Sequence, residues 1–270
     1  MFPIIFQFKH FTIHSLWVFI TIAIIVGSYT FIKLGLKNGL KLQFMTESMF
    51  KIFIFSIIGA RIFAILSNWK TFFHEYSINS FLQIFAIWDK GLSLWGGILA
   101  GTITLYYLSK KNDQNFFKWI DSLTPAFLVA LSITGLGLFL DGAWYGRETA
   151  MPWGVNFESP DIKYTVPIHP TQTYIMLYSA AIAMGAILFR NHKFFEKNGK
   201  LATVTIGIFS LIHFLQEFLR GDDVSLFFGI RVPQIISGAI FIFSLIFYFL
   251  YYNGEASEEN RQSKIKKKHF

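Results

Sequence analysis

Residues Phe11–Ile32 read FTIHSLWVFITIAIIVGSYTFI and contain no Asp, Glu, Lys or Arg. A helix rises about 1.5 Å per residue, so about 20 apolar residues cross the hydrocarbon core of a bilayer. A helix buried in a soluble core does not need so long an uncharged run. The stretch therefore predicts a membrane span, and similar runs recur along the chain. Further spans are expected at about Ser48–Leu66, Leu92–Leu108, Trp119–Leu140, Pro170–Phe189, Leu201–Leu219 and Pro233–Tyr252. The fold class is all-α: a polytopic membrane protein with about seven transmembrane helices.

Composition agrees with this reading. Of the 270 residues, 53% are hydrophobic and only 15% charged, against about 25% charged in soluble domains. Mean hydropathy is +0.47. There is no cysteine, which excludes disulfides, thiolate catalysis and cysteine-based zinc sites. The net charge of +8 is explained by membrane topology, not by nucleic-acid binding.

The basic residues fix an expected orientation. Connections 1–2, 3–4, 5–6 and the tail hold sixteen Lys and Arg; the N-terminus and connections 2–3, 4–5 and 6–7 hold seven, with Arg61 inside a span. The positive-inside rule then puts the N-terminus outside and the C-terminus in the cytoplasm. Residues 1–252 read as a single transmembrane helical domain, and 253–270 as a polar basic cytoplasmic tail ending KIKKKHF. The opening MFPIIFQFKH lacks the basic start and small-residue cleavage site of a secretory signal, and suits a short interfacial lead-in. Ser67–Lys90, with Trp69, Phe72, Phe73, Tyr76 and Trp88, has the aromatic content of a membrane surface.

One connection concentrates the chemistry that the spans lack. Asp141–Tyr174 carries Asp141, Arg147, Glu148, His169 and four prolines. On the charge count it faces outward, as do Ser67–Lys90 and Arg220–Val232. Arg147 lies between Gly146 and Glu148; a guanidinium there suits bidentate phosphate binding, or it snorkels to water from the interface. Arg220 ends span 6, with Glu217 three residues earlier on the same face. The pair either serves a functional site or locks helix packing. Arg231 reads as an outer-surface anchor. Arg61 lies within an apolar run and needs a partner or water. Asp121 reads as the cap of span 4. His169 opens HPTQTY and is suited to proton transfer, although a packed, hydrogen-bonded histidine fits equally. The other six histidines have no ligand spacing, so no metal is expected. Gly96, Gly97 and Gly101 have small-residue spacing for close helix packing; Gly96 and Gly97 would also admit a lipid close to the backbone.

Together these segments resemble the prolipoprotein diacylglyceryl transferase family. HPTQTY at His169–Tyr174 matches its H-P-T-Q-x-Y motif. Gly146–Phe157, GRETAMPWGVNF, is similar to its W-G-R-x-T-x-x-P-W-G-x-x-F. Gly59–Trp69, GARIFAILSNW, is similar to its G-x-R-x-x-Y-V-L-x-Y-N-W, and Lys90–Gly101, KGLSLWGGILAG, to its G-G-L-S-x-H-G-G-x-x-G. Phe218–Asp223, FLRGDD, is similar to its late arginine motif.

The resemblance implies transfer of the diacylglyceryl group of phosphatidylglycerol to the lipobox cysteine thiol of a prolipoprotein. It also implies a multi-pass protein of the bacterial inner membrane, with no cofactor, metal or nucleic acid. His169 and Asp141 are then the candidate catalytic bases. Arg147, Arg220, Gln172, Tyr174, Gly96, Gly97 and Arg61 are the candidate substrate-binding residues. The chain departs from the family at four motif positions. Trp95 stands at the family's proposed catalytic histidine, Gly135 at an arginine, Leu138 at an asparagine and Ala143 at a glutamate. A lipid-binding relative without this transfer, or with another acceptor, is the alternative. A small transporter or scaffold is a third reading, but the chain shows no repeated halves.

Overall fold

The computed structural model describes residues 2–8, 11–67, 69, 84, 91–157 and 162–253. Seven long helices lie among them: α1 (Ser15–Lys37), α2 (Leu42–Ser67), α3 (Leu94–Lys111), α4 (Phe116–Asp141), α5 (Thr171–Phe189), α6 (Lys200–Gln216) and α7 (Val232–Phe247). A 3-10 turn, Glu217–Leu219, extends α6, and a π-turn, Tyr248–Asn253, extends α7. Six of the seven helices are long and apolar enough to cross a membrane. The exception is α3, which is only 18 residues long and ends in Lys110 and Lys111. Ile25, Leu177, Met184, Leu188 and Phe243 point outward from the helices, where a membrane rather than water suits them. This is an all-α membrane protein.

Helix boundaries move where polar chemistry intervenes. Span 1 starts at Ser15, four residues later than expected. The lead-in is not a helix: Ile4–Phe8 (β1) pairs antiparallel with Phe11–His14 (β2). Ser15 closes this hairpin through its backbone N–H to the Pro3 carbonyl and its hydroxyl to that of Phe2. Asp121 does not cap α4. Asn115 does so, accepting from Phe117 N at 2.9 Å. Asp121, buried, reaches across to the start of α6 and accepts from Gly199 N and Ala202 N. Two of that helix's orphan N–H groups are satisfied from another helix. Residues 68, 70–83, 85–90 and the tail beyond 253 lie outside the described residues, as does most of the aromatic Ser67–Lys90 stretch.

The chain divides into two compact units. One comprises 35–119 and contains α2 and α3; the other comprises 1–34 and 120–270. In the smaller unit, α2 and α3 approach at their glycines. A Cβ on Gly59 would lie 2.2 Å from that of Ala100, and one on Gly96 would lie 2.3 Å from that of Phe63. Close backbone approach is what such spacing provides between membrane helices.

In the larger unit, Gly27 of α1 meets Ala130 of α4, and Gly135 of α4 meets Met176 of α5. The Ser132 hydroxyl donates to the Met176 carbonyl at 2.9 Å. Leu128, Leu131, Ile175 and Ala183 form the α4–α5 core, with Trp144, Tyr178 and Phe209 packed on it. The long connection has a core of its own: Tyr145, Phe157, Ile162 and Ile168. Isolated backbone bridges hold it: Ile168 pairs with both Glu148 and Val155 within the connection, and Gly146 pairs with Arg220 beyond α6.

Candidate functional site

The HPTQTY segment forms the N-terminal edge of α5, and its polar groups are directed at the neighbouring backbone. The Thr171 hydroxyl donates to the Trp144 carbonyl at 2.5 Å, and Gln172 Nε2 to the Ala143 carbonyl at 2.8 Å. Gln216 Nε2 of α6 donates to the Thr171 carbonyl. Each buried bond holds a carbonyl that would otherwise be costly to desolvate. Thr171 and Gln172 therefore tie the segment that follows α4 to the start of α5.

Arg147 sits on the frame this creates. Its backbone N–H donates to the Leu219 carbonyl, and its own carbonyl accepts from His169 N at 2.9 Å. Gly146 N donates to the His169 carbonyl, and Gly221 N to the Tyr145 carbonyl. The three segments lie so close that a Cβ on Gly146 would be 2.3 Å from the His169 carbonyl oxygen. The Arg147 side chain is exposed, and its Nε donates to the Arg220 carbonyl at 3.0 Å. That bond fixes the guanidinium and leaves both terminal nitrogens for an outside partner.

His169 lies beside it. Its Nδ1 is 3.0 Å from the Tyr174 hydroxyl, which accepts from Trp153 Nε1 at 2.8 Å. Burial lowers the His169 pKa below its ordinary value, so the ring is neutral near pH 7. When the Tyr174 O–H donates to Nδ1, Nε2 carries the proton. When Nδ1–H donates to Tyr174, Nε2 is a bare base.

Arg220 has a different environment. It is only 4% exposed. Its Nε and Nη2 fork onto the Asp222 carboxylate, and its Nη1 lies 3.3 Å from Glu217 Oε1. The Trp144 ring covers its guanidinium carbon at 4.8 Å. Arg231 completes the cluster, donating from Nε to Glu217 Oε2 and from Nη2 to Asp222 Oδ1, both at 2.8 Å. Two arginines and two carboxylates thus balance. From Glu217, polar groups continue inward through His213, whose Nε2 is 3.7 Å away, to Tyr178. The Tyr178 hydroxyl donates to Gln216 Oε1 and meets His213 Nδ1 at 3.0 Å.

A family model described as prolipoprotein diacylglyceryl transferase matches residues 3–250. The chain belongs to that family. A phosphatidylglycerol–prolipoprotein diacylglyceryl transferase of Finegoldia magna is 29% identical over 248 residues, covering 90% of this chain and 94% of that protein. A protein of the same name numbered 2, from Clostridium perfringens, is 28% identical over 237 residues, covering 87% and 90%. One from Prochlorococcus marinus is 26% identical over 276 residues, covering 93% of each.

Within the diacylglyceryl transferase family, the motif departures acquire a physical description here. Gly135 is a helix-contact position: an added Cβ would lie 2.9 Å from Met176 Cβ and 3.1 Å from the Gln172 carbonyl oxygen. Leu138 is buried. Ala143 supplies the carbonyl that Gln172 holds. Asp141 is the last residue of α4 and half-buried.

In the smaller unit, Arg61 is buried, donating to the Ile84 and Gly91 carbonyls at 2.9 and 3.0 Å. Gly96 packs on α2, and Gly97 faces Ala60 at ordinary contact distance. Trp95 lies in the first turn of α3. Sequence reading passed over Trp144, Trp153, Asp222 and His213 as parts of the site. The i,i+4 spacing of His213 and Glu217 was the one available signal.

A cavity of about 270 Å³ opens between α4 and α5, lined by Val129, Ser132, Ala180, Ala183, Met184, Ile187 and Leu188.

Proposed function

We propose that this chain transfers the diacylglyceryl group of phosphatidylglycerol to the lipobox cysteine thiol of a prolipoprotein, at the bacterial inner membrane with the site facing outward. The observation that carries the proposal is Arg147, held through Nε on the Arg220 carbonyl with its terminal nitrogens open beside His169. In this reading those nitrogens bind the lipid phosphate as a fork. The thiol sulfur attacks the glyceryl carbon that bears the phosphate ester. A C–S bond forms, the C–O bond breaks, and glycerol phosphate leaves with its charge stabilised by Arg147. The thiol proton passes to His169 Nε2, with Asp141 as the second candidate base. Arg220 contributes by fixing Arg147, and the α4–α5 cleft suits an acyl chain.

Purified protein in phosphatidylglycerol liposomes should add the mass of a diacylglyceryl group to a lipobox peptide. Arg147→Ala should remove that addition. No mass change, alongside modification of the same peptide by the Finegoldia magna relative, would overturn the reading.

One set of observations favours a second reading, a relative that binds the lipid without this transfer. Trp95, Gly135, Leu138 and Ala143 replace polar motif residues, and Gly135 has no room for a side chain. That reading expects phosphatidylglycerol binding weakened by Arg147→Ala or Arg220→Ala, and an unmodified thiol throughout.

A further inference from the structure

The connection from α6 to α7 is a β-hairpin whose tip conflicts with its own turn. Leu226–Phe227 (β3) pairs antiparallel with Ile230–Arg231 (β4), which leaves Phe228 and Gly229 as the two turn residues. Their φ values are +50° and +78°. A two-residue turn with both φ positive favours Asn, Asp or Gly at its first position, and a bulky aromatic there is strained. Turn geometry therefore does not account for Phe228. Packing against the described residues does not account for it either. Phe228 is 91% exposed, and Leu226, Phe227 and Ile230 are exposed as well. Among the described residues its one ring contact is Phe227, at 4.6 Å.

Charge is sorted along the same hairpin. Val224–Ile230, VSLFFGI, carries none. The charged groups stand at its base, where Arg231 is held by Glu217 and Asp222, and Asp223 pairs with Lys163. That base is fixed between the ends of two spanning helices. A strand advances about 3.4 Å per residue, and Phe228 is four residues from Val232, so the tip stays within roughly 14 Å of the start of α7. Aromatic and aliphatic side chains at that level suit the boundary between acyl chains and headgroups.

We propose that the tip Leu226–Ile230 is embedded in the bilayer leaflet next to the ends of α6 and α7. The Arg231–Glu217–Asp222 cluster ties this lipid anchor to the frame that carries Arg147. The proposal requires a membrane but not the transfer reaction.

The chain has no native cysteine, so Phe228→Cys gives a single site for a nitroxide label. The full chain would be placed in phosphatidylglycerol–phosphatidylcholine vesicles without peptide. Collision with oxygen and with a water-soluble nickel chelate then reports depth. Leu177→Cys on α5 serves as the lipid-facing reference and Thr165→Cys, on an exposed turn, as the aqueous one. The oxygen-to-nickel ratio at 228 should lie well above the aqueous value at 165, toward the lipid-facing reference at 177, whatever the protein-to-lipid ratio. A second variant separates lipid contact from folding. Phe228→Asn relieves the turn, so the hairpin still forms, and a label at Leu226→Cys in that background should shift toward the aqueous value. Three results would overturn the proposal. One is an aqueous ratio at 228 in empty vesicles, including one that turns lipid-like only when a lipobox peptide is added. Another is spin–spin broadening that grows with protein density, which marks a second copy. The third is an unchanged ratio at 226 in the Phe228→Asn background.

Discussion

Replacing Glu217 with Gln keeps the shape of a fully buried side chain and removes its charge. Its two oxygens lie 3.3 Å from Arg220 Nη1 and 2.8 Å from Arg231 Nε. At an effective dielectric near 20, each contact of that length is worth about 5 kcal/mol before desolvation. Desolvating the ions opposes most of this gain. Removing one partner, however, leaves the other charges buried without compensation, at a cost of about 3–5 kcal/mol. Two arginines would then share the single carboxylate of Asp222. Thermal unfolding in detergent should fall on the order of 10 °C. Arg231→Gln should cost a comparable amount by leaving a carboxylate in excess. The double variant restores neutrality, with Arg220 on Asp222. Its loss should be smaller than the sum of the single losses by about 1–3 kcal/mol. If the two losses add within about 0.5 kcal/mol, or Glu217→Gln costs under about 1 kcal/mol, the four groups are not one electrostatic unit.

Asp121→Ala removes the acceptor for two N–H groups at the start of α6; chemical denaturation should show a loss of about 1–2 kcal/mol, smaller for Asp121→Asn. Gly146→Ala forces a Cβ into the His169 carbonyl. It should cost about 1–3 kcal/mol and weaken phosphatidylglycerol binding by displacing Arg147. Gly185→Ala, with nothing within 4 Å, should be neutral or stabilising by up to about 1 kcal/mol. His169 gives a pH dependence of definite sign. Its pKa in the fold lies below the ordinary 6.5, so the unfolded chain binds the proton more readily. The contribution is full above about pH 6.5 and is lost as pH falls toward the depressed value. His169→Gln should flatten that part of a melting-temperature profile as pH falls below about 6.5.

The spans were legible because their signal is physical and local. An apolar run of about 20 residues with few charges has few stable fates in a cell. Six of the seven helices are long and apolar enough to cross a membrane, and each of the seven overlaps an expected span. The N-terminal hairpin was not legible. Apolar and polar residues do alternate over Phe6–Lys9 and Phe11–His14. Each run is only four residues long, however, and the second merges with the apolar start of span 1, so the pairing depends on register that composition does not reveal. Asp121 shows the same limit. Its place near a helix start predicted a local cap, but the N–H groups it satisfies are nearly eighty residues further along the chain. Capping chemistry was foreseeable; the helix that received it was set by tertiary packing.

The two arginines of the candidate site show why residue type and spacing stop short of function. Arg147 and Arg220 read alike in sequence: each ends or follows an apolar run, and each has a carboxylate nearby. Glu148, adjacent to Arg147, bridges Ile168 through its backbone, and its exposed side chain forms no ion pair with Arg147, so the Arg147 side chain is left exposed. Glu217, one helical turn before Arg220, is drawn into the interior along with Asp222. Desolvation then favours pairing Arg220 within the protein over leaving it for a ligand. The Arg220 carbonyl, not its guanidinium, is what Arg147 uses. Neutralising Arg220 would therefore act on Arg147 by loosening its frame. Neutralising Arg147 would remove an exposed cation and leave the buried cluster balanced. The first change should lower stability and lipid binding together, and the second should lower lipid binding alone.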